Sequence, residues 1–254
     1  NASTARLYTD IGLLTCDADL GEDAANLFNL LTGVCQFQGT RKLLVAPFEL
    51  HTAIKALIND EAEHARRGLP ARIIAKMNSL VDRDIIECLY RASQAGVKID
   101  LIVRGVCCLR PGLTGVSENI SVRSIVDRFL EHSRIFYFEN ACQPKVYVSS
   151  ADWMPRNFLR RIETVFPISD GNLRDRLITE LMDVTLNDNV KARHLGPDGS
   201  YSPARQKKGT GARRSQSEFI SMTRIPKASK AGGKLPGKDY PKMKLRPRPS
   251  PETR

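Results

Sequence analysis

Three short segments concentrate side chains that can handle phosphate or protons. They are residues 1–10 (NASTARLYTD), residues 98–110 (KIDLIVRGVCCLR) and residues 129–161, which contain FLEHSRIFYF and VYVSSADWMPRNFLRR. In the second, Arg104 ends an apolar run and precedes Gly105. If that run is a strand of an open α/β sheet, Arg104 stands beyond its C-terminal end, where such sheets bind ligands. The planar fork of a guanidinium offers phosphate two parallel hydrogen bonds. A solvated or acid-paired arginine is the bland alternative, and this segment alone leaves it open. In the third, His132 precedes Ser133 and Arg134, and Ser149, Ser150, Asp152 and Asn157 follow downstream. An imidazole among cations, hydroxyls and an amide can exchange a proton at a phosphoryl group. A lone histidine is more often structural, and His51, His64 and His194 are read that way. Arg156, Arg160 and Arg161 flank a turn at Pro155, where the bland reading is a solvated face.

The elements that would position these residues follow from periodicity. Residues 41–47 (RKLLVAP), 71–77 (ARIIAKM) and 98–104 (KIDLIVR) are short apolar runs of strand length. Between them, residues 49–67 repeat apolar side chains at three- and four-residue steps. Residues 82–95 do the same, with Asp82 as a cap and Gly96 as a stop. Strands alternating with helices predict βαβ units and a parallel sheet. Residues 109–115 form a loop with Pro and two Gly. Residues 120–126, 134–138, 145–149 and 161–167 read as further strands, and 170–186 as an amphipathic helix. Residues 7–14 read as a strand and 22–31 as a short helix. These two cannot form a domain alone, so they pack onto the following unit or end a preceding domain.

The net charge of +11 invites a nucleic-acid reading, but its location argues otherwise. Residues 201–254 hold eight Lys and seven Arg against three acids, while residues 1–200 hold 24 bases and 25 acids. Function in the first 200 residues therefore rests on placed charges, not on bulk charge. Residues 201–254 also hold seven of the fourteen prolines and few large apolar residues. They are expected to be a disordered basic tail. The bland reading of that tail is a solvated extension; a polyanion contact is the functional one. Six cysteines without a CxxC pair exclude zinc-site spacing and read as reduced core residues. No secretory pattern opens the sequence, and its apolar runs of about five residues fall short of the roughly 20 that a spanning helix needs. A soluble, cytoplasmic protein is expected, with peripheral membrane association left open.

The stretches NASTARLYTDIGLLT, RKLLVAP, ARIIAKMNSLVD, LYRASQAGVKIDLIVRGVCCLRPG, SENISVRSIVDRFLEHSRIFYF and SSADWMPRN closely resemble the C-terminal half of type 1 polyphosphate kinases. The resemblance runs from residue 1 to about 200 and finds no counterpart for 201–254. It implies an α/β fold: a phospholipase-D-like domain with a mixed sheet flanked by helices over residues 39–200. Residues 1–38 would then be the end of a first, similar catalytic domain, and 201–254 the disordered tail. It also implies reversible transfer of the terminal phosphate of ATP to inorganic polyphosphate through a phosphohistidine. That histidine precedes a Gly-Thr-Gly-Asn segment whose Asn corresponds to Asn1, so the carrier lies upstream, with the Mg2+-linked residues. ATP or ADP and polyphosphate are the implied partners, in a homo-oligomer.

Three family positions carry over by the resemblance: the ATP-site tyrosine as Tyr8 in ARLYTD, the ATP-site arginine as Arg104 in IVRG, and the second active-site histidine as His132 in EHSR. Arg161 in RNFLRR is read as a further phosphate-facing residue. No Walker-type GxxxxGK[ST] is present, which suits a phosphohistidine route better than a P-loop one. The chain by itself is expected to be inactive. The alternative reading is a catalytically incomplete module that binds nucleotide or polyphosphate. A phospholipase-D-type hydrolase would need His-x-Lys, and His132-Ser133-Arg134 has Arg in place of Lys.

Overall fold

A computed structural model of the chain describes residues 2–206 and 209–223. In chain order the elements are α1 (Ala2–Ala5), β1 (Tyr8–Thr9), α2 (Ala18–Leu31), β2 (Leu44–Ala46), α3 (Leu50–Arg66), β3 (Arg72–Met77), α4 (Arg83–Gln94), β4 (Lys98–Val103), β5 (Ile120–Ile125), β6 (Leu130–Glu131), β7 (Arg134–Phe138), β8 (Lys145–Ser149), α5 (Pro155–Leu159), β9 (Glu163–Pro167), α6 (Gly171–Arg176), a π-helical stretch (Leu177–Met182), α7 (Asp183–Leu186), β10 (Ala192–Leu195), β11 (Tyr201–Pro203) and α8 (Ser215–Thr223).

A nine-stranded mixed sheet runs β11-β10-β5-β4-β3-β7-β8-β9-β2, and β1 pairs separately with β6. β3, β4 and β5 are parallel neighbours, as the βαβ pattern predicts. β2 does not join them. It lies on the far edge, antiparallel to β9. The reason is the antiparallel run β7-β8-β9, which takes the free edge of β3. Every residue of β7 is buried, so β7 belongs inside the sheet and not at its margin.

Helices cover both faces. α3 buries Leu50, Ile54, Leu57, Ile58 and Ala62, and α4 buries Ile85, Ile86, Leu89 and Ala92. They pack against Ile73, Ala75, Ile99, Leu101 and Phe136 of the sheet. Each large side chain so buried contributes about 1.5–3 kcal/mol relative to exposure. Asp82 caps α4 by accepting from the Ile85 amide at 3.1 Å. Gly96, with φ of 98°, lets the chain leave α4 in the left-handed region. The opposite face packs Ile74, Ile102, Ile135, Tyr137 and Val148 against Leu177, Leu181 and Met182. The expected helix over 170–186 is continuous but carries the π-helical stretch at its centre.

Two expectations fail. Residues 201–206 and 209–223 are structured, not a disordered tail: β11 extends the sheet and α8 buries Ser215 and Gln216. Polar contacts order this part. Ser215 donates its amide and hydroxyl to Asp188 at 2.8 and 2.9 Å, and Arg214 pairs with Asp127 at 2.7 Å. A composition argument based on apolar burial does not register them. Residues 224–254, which carry the rest of that expectation, lie outside the described residues. Nor are the cysteines uniformly core: Cys88 is buried and Cys107 half-buried, but Cys16, Cys35, Cys108 and Cys142 are exposed, because they fall outside the packed faces of strands and helices.

Candidate active site

The parallel strands β3 and β4 and the antiparallel neighbours β7 and β8 bring four chain positions to one sheet edge. β3 ends at Met77 and leads to Asn78. β4 ends at Val103 and leads to Arg104. β7 begins at Arg134, opposite Ser149 at the end of β8. The loops beyond stay stitched together by main-chain bonds. The amides of Leu80 and Cys108 pair with the carbonyls of Val106 and Leu80, and the amides of Val81 and Asp82 share the Trp153 carbonyl. Here opens a cleft of about 650 Å³ lined by Tyr8, Asp10, Asn78, Arg104, His132, Arg134, Asp152, Arg156, Arg161 and Glu163, among others.

Under the floor, Arg134 meets Asp152 at two points, Nε to Oδ1 at 3.2 Å and Nη2 to Oδ2 at 3.1 Å. Asp152 Oδ1 also accepts from the amides of Asn78 at 2.7 Å and Ser79 at 3.3 Å. Burial by itself would raise the Asp152 carboxyl, but Arg134 and these amides outweigh it and hold the group below the ordinary range. Arg104 directs its Nε to the side-chain oxygen of Asn78 and, at 2.9 Å, to the carbonyl of Glu131. Its terminal nitrogens have no partner among the described residues. Gly105 donates its amide to Asn78 O at 2.8 Å, and a Cβ there would meet that oxygen at 2.8 Å. Only glycine permits this approach without a shift of the residue that orients Arg104.

A short parallel ribbon adds the histidine. β1 pairs with β6, Tyr8 opposite Leu130 and Thr9 opposite Glu131. The His132 amide donates to Thr9 O at 2.8 Å. This sets Asp10 Oδ2 2.8 Å from His132 Nδ1, and the Tyr8 ring 5.2 Å from the imidazole at a 60° tilt. Arg134 Nη1 lies 3.1 Å from both ring nitrogens. Equidistance means it sits against the imidazole and cannot align with both lone pairs at once. Tyr8, Arg104 and His132, the three residues singled out in the sequence, thus converge on one cleft. Arg161 lines it too, with Arg156, whereas His51, His64 and His194 do not. His51 holds Asp82 at 3.1 Å, a structural contact.

Sequence reasoning missed Asp10, Asn78 and Glu131. Asp10 lies beside Tyr8 in a quoted motif, but nothing local to it signals a partner 122 residues away.

Chain comparison now adds to this geometry. Residues 43–216 match the family profile described as polyphosphate kinase C-terminal domain 2, and residues 1–37 match C-terminal domain 1. The chain belongs to the polyphosphate kinase family. The match reaches past residue 200, where the family resemblance was expected to stop. Polyphosphate kinase of Synechocystis sp. is 51% identical over 222 residues, covering 87% of this chain and 30% of that protein. The Pseudomonas aeruginosa enzyme is 50% identical over 226 residues, covering 89% and 33%. The crystal structure of polyphosphate kinase from Porphyromonas gingivalis aligns with TM-score 0.78 and 40% identity, over 82% of this chain and 32% of that one. The chain therefore spans about a third of the length of these polyphosphate kinases.

Among the described residues no group of three His, Cys, Asp or Glu side chains could hold a metal ion. The cleft carboxylates fit one poorly, because each is already engaged: Asp10 by His132, Asp152 by Arg134, and Glu163 by Asn157 and Ser150. Among the described residues no helix is long and apolar enough to cross a membrane.

Proposed function

We propose that this chain forms the C-terminal wall of the active site of a polyphosphate kinase, which transfers the terminal phosphate of ATP reversibly to inorganic polyphosphate. The convergence of Tyr8, Arg104 and His132 on one cleft is the observation that supports this reading best. Phosphoryl transfer spreads negative charge over equatorial oxygens, so catalysis rests on positioning and on cations placed in advance. Arg104, its Nε edge occupied, offers two terminal nitrogens to phosphate oxygens. Arg156 and Arg161 extend the cationic wall; among the described residues Arg161 has only a 4.0 Å contact, to Glu163. Arg134 is neutralised by Asp152 and serves to hold the floor.

Asp10 fixes one edge of the His132 imidazole, so the ring is oriented toward a bridging or leaving oxygen. Tyr8, about half exposed, offers a ring face for adenine and a phenolic donor. In this reading the carrier histidine and the Mg2+ ligands lie upstream, outside this chain, and residues 1–38 close the domain that bears them. Residues 39–200 are then the second catalytic domain. The chain alone is inactive, and the complete protein acts in the cytoplasm as a homo-oligomer on ATP, ADP and polyphosphate.

The test is polyphosphate formation from ATP by the full-length protein, with His132→Ala beside it. The variant is expected to lose nearly all synthesis. Undiminished synthesis by it would remove His132 from the chemistry.

A further inference from the structure

His132 and Arg104 depend on one piece of backbone. His132 directly follows β6, and Arg104 Nε is held by the carbonyl of Glu131 within it. β6 has only two residues, and β1, its one strand partner among the described residues, is equally short. Two hydrogen-bonded residues do not fix a ribbon on their own, since isolated two-stranded pairs are marginal at best. A further support must exist.

It comes from α8. Gln216, buried at 3% exposure, takes the Phe129 amide on Oε1 at 2.8 Å and gives Nε2 to the Phe129 carbonyl at 3.0 Å. The side-chain amide thus acts as a third strand, pairing both polar groups of the residue before β6. The same Nε2 donates to Glu131 Oε1 at 2.9 Å. The other carboxylate oxygen of Glu131 meets Lys76 Nζ at 3.1 Å, and Lys76 also reaches Ser133 Oγ at 3.1 Å. Lys76 projects from the C-terminal end of β3, the central strand of the sheet, and is itself buried. Gln216 and Lys76 therefore grip residues 129, 131 and 133 on both sides of His132. Between them and the rear of the 9–11 segment lies a largely apolar chamber of about 390 Å³, walled by Ile11, Phe129, Ile135, Leu181, Phe219 and Ile220. Without the Gln216 bonds, β6 could relax into that space.

We propose that Gln216 is a positioning residue for the phosphoryl-transfer site: through Phe129 and Glu131 it sets the places of His132 and Arg104, which it does not touch. The proposal rests on the reading of the site given above. A displacement of about 1 Å in a catalytic group can lower a rate about 100-fold.

The test uses the full-length protein with Gln216→Leu, which keeps the bulk and removes all three bonds. We expect kcat for polyphosphate formation to fall at least tenfold, with a smaller change in the KM for ATP because Asn78 still holds Arg104. Independently of turnover, the ring 15N signals of His132 should shift as its contact with Asp10 loosens. Wild-type kcat together with unmoved His132 signals in Gln216→Leu would overturn the proposal. If the wild-type protein makes no polyphosphate, the functional reading fails instead, and the His132 signals still decide whether Gln216 positions the ring. Should Gln216→Leu not fold, Gln216→Glu decides by the same two measurements. It keeps the acceptor for Phe129 N and loses both Nε2 bonds, and the same losses are expected.

Discussion

Arg134 and Asp152 form a two-point ion pair beneath the cleft, and both side chains are less than a tenth exposed. Breaking a buried pair from one side leaves a charge without its partner in low dielectric, at a cost of about 3–5 kcal/mol. Asp152→Asn is expected to lose stability of that order, since Arg134 keeps its charge and the Asn78 and Ser79 amides keep a weaker acceptor. Denaturant unfolding of the two proteins measures it. A change under about 1 kcal/mol would mean that water reaches Arg134 in the variant.

The same pair predicts an acid response. Asp152 titrates below its ordinary value of 3.8 in the folded protein, with Arg134 and the two amides overcoming the effect of burial. A carboxyl depressed by folding contributes stability fully above its unfolded pKa and loses that contribution as pH falls through the folded one. The stability gap between wild type and Asp152→Asn should therefore be constant from neutrality down to about pH 4 and narrow below it. Unfolding midpoints measured across that range check the sign. A gap that widens on acidification contradicts the depressed titration.

Much of this site is legible in the sequence, and the rest is not, for physical reasons. Arg104 could be placed at a strand end because an apolar run followed by Arg-Gly has a local signature. Motif resemblance located His132 and Tyr8. Their proximity depends on β1 pairing with β6; of the strand expected over residues 7–14 only Tyr8–Thr9 forms, too short to point to a partner. Asp10 was missed for that reason. Lys76 lies within the strand run 71–77, and nothing local to it marks its partner Glu131, 55 residues away in sequence. α8 was hidden by averaging: its charged surroundings and sparse apolar content masked Gln216, whose burial is secured by hydrogen bonds and not by hydrophobicity.

The Asp10–His132 contact predicts a coupling. If Asp10 acts only by orienting the imidazole, Asp10→Ala should slow polyphosphate formation by about tenfold or more, and His132→Ala by about a hundredfold or more. The double variant should then be no slower than His132→Ala, because removing the ring leaves Asp10 nothing to orient. Initial rates of the four full-length proteins close the cycle. Additive losses would assign Asp10 a separate contact with substrate.

The basic C-terminal sequence divides into two parts with different predicted roles. Residues 224–254 carry six Lys and four Arg against two acids. A segment of that charge binds a polyanion by releasing its condensed counterions, so affinity falls steeply with salt. Deleting 224–254 from the full-length protein is expected to flatten the dependence of log polyphosphate affinity on log salt, as measured by titration at several ionic strengths. An unchanged slope would show that this charge does not reach the polymer. A deletion that starts at Ser215 also removes α8, and with it the Gln216 bonds to Phe129 and Glu131 and the Ser215 bonds to Asp188. That protein should lose kcat as Gln216→Leu does, and should unfold at lower denaturant because Asp188 is left with fewer donors. A shared loss in both deletions would trace the effect to charge. A loss confined to the longer deletion would trace it to the grip of α8 on the segment that leads into His132.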